Sequence, residues 1–379
     1  MSQSGDDDTG TTSRKSARHT LDGTTWGFLA EAIALPTGLA TAAFLSRQLQ
    51  PDGYGLFALA VTLIIWIEAT INSFLSSASI KFVSQADDWE PVGTAVVHLY
   101  VLTSLGCMLL IWVTAAPIAG VLDAPQLGQY LWLFALDLPL AGLANAHQRL
   151  LIGTGQYRSR ALMRAVRRVA RLVLIVILVE LGLSIPGAII GSMSATLCEF
   201  LVARWYIRPP FFRRSSFSWR PLIGYATPLL LSGLGLRIVK KIDLFALKSL
   251  AGTAADAGYY AAAQNLAVVP SLFSLAFTPL LLSSLNHSLE IGDTGSARRL
   301  GRDAQRVVFF LYPFAGMSAG AAWEVVRFIY GPDFMPAGLL LALLIFSGVN
   351  LLFISVATNL LVALDRPNWT IALIVPFVP

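Results

Sequence analysis

The sequence predicts an all-α, polytopic membrane protein, and three observations support this fold class. Of the 379 residues, 55% are hydrophobic and only 13% are charged, whereas soluble domains usually carry about 25% charged residues. The apolar residues form runs of about the 20 residues that a helix needs to cross a bilayer. The connectors between the runs are short and leave no room for a soluble domain. The composition therefore excludes an ordinary water-soluble enzyme.

Ten complete membrane-spanning helices are predicted, and an eleventh begins near Trp369. Residues 1–25 are polar and are expected to form a disordered cytoplasmic tail. The first apolar run has full span length, so we interpret it as a retained helix rather than a signal peptide. The predicted spans cover residues 26–45, 54–78, 93–122, 130–151, 166–183, 186–207, 221–250, 257–285, 307–330 and 336–363.

The orientation follows from the basic residues, because Lys and Arg concentrate in cytoplasmic loops. With these spans, 21 of the 27 Lys and Arg residues fall on one side of the membrane and three on the other. This pattern predicts a multi-pass protein of the plasma or inner membrane with a cytoplasmic N-terminus. The arginine-rich segment 158–171 is interpreted as a cytoplasmic loop that binds anionic lipids. Nucleic acid is not expected as a partner, because spans flank this segment and it lacks aromatic residues.

The two halves of the sequence resemble each other, which predicts an internal repeat. Gly53 aligns with Gly258 at an offset of 205 residues, and Pro125 aligns with Pro332 at an offset of 207. An even number of spans per unit gives a parallel repeat, with both halves inserted the same way round. We expect an N-terminal six-helix lobe at 26–207, a basic cytoplasmic linker at 208–220 and a second lobe at 221–379. The same offset predicts two further helices, so the second lobe is expected to be truncated after helix 10 or 11.

Three motifs carry a family resemblance: FLSRQLQPDGYGLFA at 44–58, AGYYAAA at 257–263 and IYGPDFMPA at 329–337. They resemble the openings of the second, eighth and tenth helices of oligosaccharide flippases. These flippases are the polysaccharide-biosynthesis branch of the multidrug/oligosaccharidyl-lipid/polysaccharide (MOP) exporter superfamily, which includes O-antigen transporters for lipopolysaccharide. One departure from the family pattern is Gln50, where the family commonly has glycine.

The resemblance implies a fold and a function. Two pseudo-symmetric six-helix lobes, as in MATE exporters, would surround a central cavity that opens alternately to each side. The cargo would be a polyprenyl-diphosphate-linked oligosaccharide, flipped without ATP hydrolysis or a cofactor. A proton gradient, a sodium gradient or the membrane potential is the expected driving force. Membrane lipids and glycan polymerase or glycosyltransferase machinery are the expected partners of a monomeric protein.

The seventh predicted span contains four charged residues, namely Arg237, Lys240, Lys241 and Asp243. Each cation in mid-bilayer costs about 2.5–3.5 kcal/mol on the insertion scale. The three cations share one helix face, because they are three and four residues apart. We interpret this face as lining a cavity that binds a diphosphate, with Asp243 as an ionic partner. The alternatives are cations that extend to the membrane surface and ion pairs that only hold the lobe together.

Other polar or helix-bending residues lie within the predicted spans, and each has a structural alternative. The three acids are candidates for ion coupling or gating, or they are structural hydrogen-bonding groups. The proline and glycine form a candidate hinge, or they serve packing. The amides are candidate sugar contacts, or they link helices. These residues are Glu31, Glu68 and Asp137; Pro36 and Gly38; Asn72, Gln264 and Asn265.

Three other functions were weighed against the flippase. An ion-coupled multidrug antiporter of the same superfamily predicts an acid-dominated cavity, whereas the seventh span is cationic. A membrane enzyme such as a sugar polymerase needs a long external loop, and no predicted external loop is long enough. No metal site is expected, because the histidines and cysteines lack metal-ligand spacing. An inactive, truncated homologue is the remaining alternative.

Overall fold

The computed structural model describes residues 7–210, 215–227, 242–250, 252–268 and 294–363. Within these ranges the chain contains helices and no β-strand, which confirms the predicted all-α class. The chain forms two compact units, residues 1–258 and residues 259–379. The division into lobes around a linker at 208–220 stays a prediction.

Helix α1 (Asp7–Gln85) is divided at Gln50, whose φ of 55° and ψ of 175° are not helical. Helix α1 begins within residues 1–25, which were predicted to form a disordered tail. From Ala32 to Gln85 the helix is apolar enough for a membrane, but at about 1.5 Å per residue its length far exceeds the ~30 Å of hydrocarbon. The break therefore separates two spans, residues 32–49 and 51–85. Proline follows at position 51, where its fixed φ suits a new helix start.

Helices α2 (Trp89–Val121), α3 (Pro125–Ala135) and α4 (Asp137–Gly153) continue the bundle. Asp88 caps α2, since its carboxylate accepts a hydrogen bond from the Glu90 backbone amide. Asp123 turns the chain between α2 and α3 with a φ of 45°, and Pro125 opens α3. The short interruption at Leu136 keeps right-handed helical angles, so α3 and α4 together form the fourth span.

Helix α5 (Tyr157–Leu178) leads through a π-helical turn (Val179–Leu183) into α6 (Ser184–Tyr206). The chain turns at Gly182, whose φ is 87°, and α5 and α6 then pack along each other. Gly191 permits this approach, because a Cβ atom there would lie 2.8 Å from the Ile175 backbone nitrogen. All six spans predicted before residue 210 lie on helices. The interpretation of residues 158–171 as a loop was wrong, because helix α5 already begins at Tyr157.

The six spans have two distinct ends. At one end a Cβ atom added to Gly153 would lie 2.6 Å from Val83 Cγ1, so connectors 86–88 and 154–156 are neighbours there. We call this the arginine end. The opposite end contains the connectors near residues 50–53, 122–124 and 182–184, and Gly53 lies against Ile185 there. We call it the glycine end.

Two glycines bring backbones into contact at the glycine end. A Cβ atom on Gly55 would lie 1.8 Å from the Ala254 carbonyl oxygen, and one on Gly258 would lie 2.3 Å from the Pro51 carbonyl oxygen. The helical segments that start near residues 51 and 254 therefore approach more closely than any side chain permits. Both glycines belong to motifs that the predicted repeat aligns, so the repeat-related helix starts pack on each other.

Beyond α6, helix α7 (Ile242–Ser249) and the helical segment 254–268 are described. Helices α8 (Thr294–Gly320), α9 (Ala322–Tyr330) and α10 (Ala337–Ala363) follow, with a 3-10 turn at Pro332–Phe334. In the third motif, the Tyr330 hydroxyl donates to the Ala262 carbonyl at 3.1 Å, and Phe334 is fully buried. The motif is therefore a packing element of the second unit.

Five helical stretches in the described ranges are long and apolar enough to cross a membrane. Two of them, residues 32–85 and 157–206, contain the breaks described above and so correspond to two spans each. The protein is therefore multi-pass, as predicted. Parts of the predicted seventh, eighth and eleventh spans lie outside the described residues.

Candidate functional site: an arginine cavity

Five arginines form one face of α5 in its first four turns. With 3.6 residues per turn, positions i, i+4, i+7, i+8 and i+11 fall within an arc of about 100°. From the first to the last, the row extends about 16 Å along the helix at 1.5 Å per residue. It therefore reaches from the arginine end toward the middle of the span. The five residues are Arg160, Arg164, Arg167, Arg168 and Arg171.

This face lines a polar cavity of about 370 Å³ inside the first compact unit. Helices α1, α4 and α6 supply the other walls, and most of the cavity surface is polar. The other lining residues are Glu68, Asn72, Asn145, Gln148, Arg149 and Glu199. We refer to this site as the arginine cavity.

Arg167 connects three helices at the centre of the cavity. Its Nη1 lies 3.0 Å from Glu199 Oε2 on α6 and 3.6 Å from Glu68 Oε1 on α1. The contact with Glu199 is an ion pair without hydrogen-bond geometry. Asn145 Nδ2 on α4 donates to Glu68 Oε1 at 3.0 Å. The Glu199 side chain is only 5% exposed, so its charge requires this partner.

The cavity holds more positive than negative charge. Six arginines and two glutamates line it, which gives a formal excess of four positive charges. Within the described structure, the Nε atoms of Arg149 and Arg171 are buried and have no hydrogen-bond partner. An unsatisfied buried donor costs about 1–3 kcal/mol, and more on a charged group. A ligand with several anionic oxygens would offset the excess positive charge of the cavity, and the guanidinium group is well suited to phosphate.

The predicted acids occupy different positions. Glu68 lines the arginine cavity, where it is paired with Arg167. Asp137 begins α4 and is only 3% exposed, and its Oδ1 has no hydrogen-bond partner in the described part of the chain. It does not line the cavity. Glu31 lies on α1, but its side chain is outside the described residues. The coupling roles of these acids stay predictions.

The other predicted site residues lie apart from the cavity or outside the described ranges. Arg237, Lys240 and Lys241 are outside the described residues, so their predicted face is not tested. Asp243 lies at the start of α7 and accepts a hydrogen bond from the Leu244 backbone amide at 2.8 Å. The predicted hinge at Pro36 and Gly38 lies within α1. The only non-helical angles in that helix are at Gln50.

Sequence reasoning missed the five arginines of α5 as candidate site residues. Their density suggested a cytoplasmic loop, because an arginine in mid-bilayer is expensive unless it faces protein or water. Their spacing on one helix face was the available signal, since a loop has no reason to keep it. Asn72 was predicted as a sugar contact and does line the cavity.

The spans and the cavity define a multi-pass membrane protein with the fold of MOP-superfamily transporters. An inward-facing MATE-family multidrug resistance transporter of that superfamily superimposes with a TM-score of 0.70 and 14% identity, covering 90% of this chain and 83% of that one. The lipid II flippase MurJ in an inward closed conformation gives a TM-score of 0.68 and 15% identity, covering 93% of this chain and 78% of that one. A MOP-superfamily transporter from Pyrococcus furiosus, whose binding pocket is described as having reverse polarity, gives a TM-score of 0.57 and 17% identity. The match covers 94% of this chain and 84% of that one.

At these identities the structural matches show the fold alone. The family model of the polysaccharide biosynthesis proteins matches residues 20–280, which is more than half of the chain. The chain therefore belongs to this family, which confirms the resemblance found in its motifs. A comparison with curated proteins gave no match.

Proposed function

We propose that this protein flips a polyprenyl-diphosphate-linked oligosaccharide across the cytoplasmic membrane and that the arginine cavity binds the diphosphate. The observation that carries the proposal is the cavity lining itself, in which six arginines and two glutamates leave an excess of positive charge. Membership of the polysaccharide biosynthesis family supports a glycan as cargo. The fold that the chain shares with a lipid II flippase is consistent with this substrate class.

The cavity can lower the cost of moving the diphosphate away from water. Phosphate oxygens lose their hydration when they enter the hydrocarbon, and charge-assisted hydrogen bonds from guanidinium groups replace it. The row of arginines on α5 extends about 16 Å inward from the arginine end. A diphosphate can therefore exchange one arginine for the next as it moves toward the middle of the membrane. The alternation of two lobes between inward-open and outward-open states would complete the transfer.

We propose that the arginine end is cytoplasmic, because most Lys and Arg residues lie on that side of the predicted spans. The lipid-linked substrate would then enter from the leaflet where it is assembled. This orientation predicts that a reporter fused after residue 214 is cytoplasmic and one fused after Asp256 is external. Reporters on the same side would refute the orientation and the span count.

O-antigen or another lipopolysaccharide glycan is the proposed cargo. Glycan polymerases are the proposed partners of a monomeric protein.

The cationic face predicted for the seventh span is the proposed counterpart of the arginine cavity later in the chain. Arg237, Lys240 and Lys241 would receive the diphosphate as it leaves the arginine cavity. Replacing Arg237 or Lys241 by alanine is therefore expected to abolish polysaccharide export without loss of membrane insertion. Normal export by both variants would refute this second site.

The proposed function is tested by the variants Arg149→Gln and Arg171→Gln in a strain whose own copy of the gene is deleted. A hydrogen bond to a charged group contributes about 1.5–3 kcal/mol, so export is expected to fall about tenfold or more in each variant. Arg158→Gln is the matched control, because Arg158 is an exposed residue of α5 that does not line the cavity. Unchanged export in both cavity variants, with membrane protein levels equal to the control, would refute the proposal.

A further inference from the structure

An apolar groove of about 880 Å³ lies between α2 and α3 in the first compact unit. The two helices meet at small residues, since a Cβ atom on Gly128 of α3 would lie 3.5 Å from Ala119 Cβ of α2. Ala116 and Gly120 line the groove one turn apart on α2. Among the described residues that line it, Gln129 is the one polar side chain besides two indoles. The groove therefore offers a ligand apolar contact rather than hydrogen bonds.

Two tryptophans form the inner part of this groove. The rings of Trp112 on α2 and Trp132 on α3 stack with their centroids 5.6 Å apart and their planes at 19°. Each indole N–H donates to the backbone carbonyl of the other residue at 3.1 Å. An indole N–H in water can bond to water, whereas one in hydrocarbon needs a partner in the protein. Trp132 is 54% exposed, so the reciprocal bonds suit a pair that faces lipid.

The groove has about the depth of one leaflet of the bilayer. It extends from Pro125, which opens α3 at the glycine end, to Leu136, which follows α3. At 1.5 Å per residue this distance is about 16 Å, roughly half of the hydrocarbon thickness. The nearby exposed side chains of α2 are large and apolar, as at Leu109, Leu110 and Val113. The groove is therefore a depression in the lipid-facing surface of the spans, within the leaflet at the glycine end.

A hydrocarbon chain is the occupant that this depression fits. An empty void deprives its lining of dispersion contacts, and an apolar cavity gives water too few hydrogen-bond partners. An acyl chain of the same leaflet fills the space without either cost and reaches about as deep as the groove. A polyprenyl chain is much longer than one leaflet is deep and fits this length less well.

We propose that the groove between α2 and α3 binds one acyl chain of a membrane phospholipid, which stays bound when the protein leaves the membrane. The stacked indoles contact the inner part of the chain, and the small residues of α2 let the chain lie close to the helix. The bound lipid thereby joins α2 to α3 at the glycine end. This site is separate from the arginine cavity, and it does not depend on the proposed function.

The variant Gly120→Leu tests the site by filling the groove with a side chain. A Cβ atom at Gly120 meets nothing within 4 Å, so the leucine has room without displacing a neighbour. Gly106→Leu is the matched control, because Gly106 is exposed on the same helix, has equal room for a Cβ atom and does not line the groove. Ala116→Leu is a second groove variant, so that the test stands if Gly120→Leu does not fold.

The full chain is purified in a mild detergent with phosphatidylethanolamine and phosphatidylglycerol, and native mass spectrometry counts the phospholipids that each protein retains. The wild-type protein and Gly106→Leu are expected to retain one phospholipid that both groove variants have lost. Added phosphatidylethanolamine should also raise the unfolding temperature of the first two proteins more than that of the groove variants, because a ligand stabilises the folded state that binds it.

Three results would overturn the proposal. The first is equal phospholipid retention by the wild-type protein and both groove variants. The second is a wild-type dimer in light scattering that becomes a monomer in Gly120→Leu, which would assign the groove to a second copy of the chain. The third is a groove-dependent polyprenyl lipid in place of the phospholipid in the mass spectrum of protein purified from cells.

Discussion

The two ends of the six-span bundle differ in what their helices enclose. At the arginine end, helices α1, α4, α5 and α6 leave a cavity with six arginines and two glutamates. At the glycine end, Gly55 and Gly258 bring two backbone segments so close that neither position has room for a Cβ atom. Charge is tolerated where the helices separate around a polar space, and close contact depends on residues without side chains. The difference is consistent with the proposed ligand binding at the first end and with close helix packing at the second.

The largest effect is expected at the arginine end, where Arg167→Met would leave Glu68 and Glu199 without their shared cation. Removing one partner of a buried ion pair typically lowers the free energy of unfolding by about 3–5 kcal/mol. We therefore expect a large loss of thermal stability in detergent, measured by the unfolding temperature. The double variant Arg167→Met with Glu199→Gln should recover part of the loss, because the most buried unpaired carboxylate is then neutral.

Arg158→Met, on the exposed side of the same helix, is the control for this change and should leave the unfolding temperature nearly constant. If Arg167→Met and Arg158→Met are equally stable, the three-helix contact is not a structural element of the cavity.

A smaller loss is expected at the glycine end for Gly55→Ala. The added methyl group would overlap the Ala254 carbonyl oxygen, so the two backbones must separate. Overpacking of this kind costs about 1–3 kcal/mol. Gly53→Ala is the matched control, since its Cβ atom would meet only side chains, the nearest at 3.3 Å. Thermal unfolding of the two variants should show a clear drop for Gly55→Ala alone, and similar values would contradict the proposed backbone contact.

The smallest effect is expected at Gln50, where the substitution should stabilise the protein. The φ of 55° at this residue lies in the left-handed region that glycine adopts readily. A side chain there costs about 1–2 kcal/mol, so Gln50→Gly is expected to gain up to about 1 kcal/mol after the added chain entropy of glycine. Asp52→Gly, two residues further on, should instead lose stability. A loss in both variants would mean that Gln50 is not strained.

The sequence was sufficient for the fold class and for the six N-terminal spans, because apolar runs of the required length have few other interpretations in water or lipid. Gln50 was noted only as a departure from the glycine of the family pattern, and its positive φ was not predicted. The arginine cavity could not be found in this way. Whether an arginine faces water, lipid or a cavity depends on helices that are distant in sequence, and here α1, α4 and α6 supply the walls. The carboxylates at Glu68 and Glu199 are 131 residues apart, and nothing in their local sequence pairs them with Arg167.

The central claim is that the arginine cavity holds the diphosphate of the substrate, and a structure of the full chain with a short-chain prenyl diphosphate sugar tests it most directly. We predict that the phosphate oxygens lie within hydrogen-bond distance of the guanidinium groups of Arg149 and Arg171. Density for the diphosphate outside the arginine cavity, with no phosphate oxygen near either guanidinium group, would contradict it.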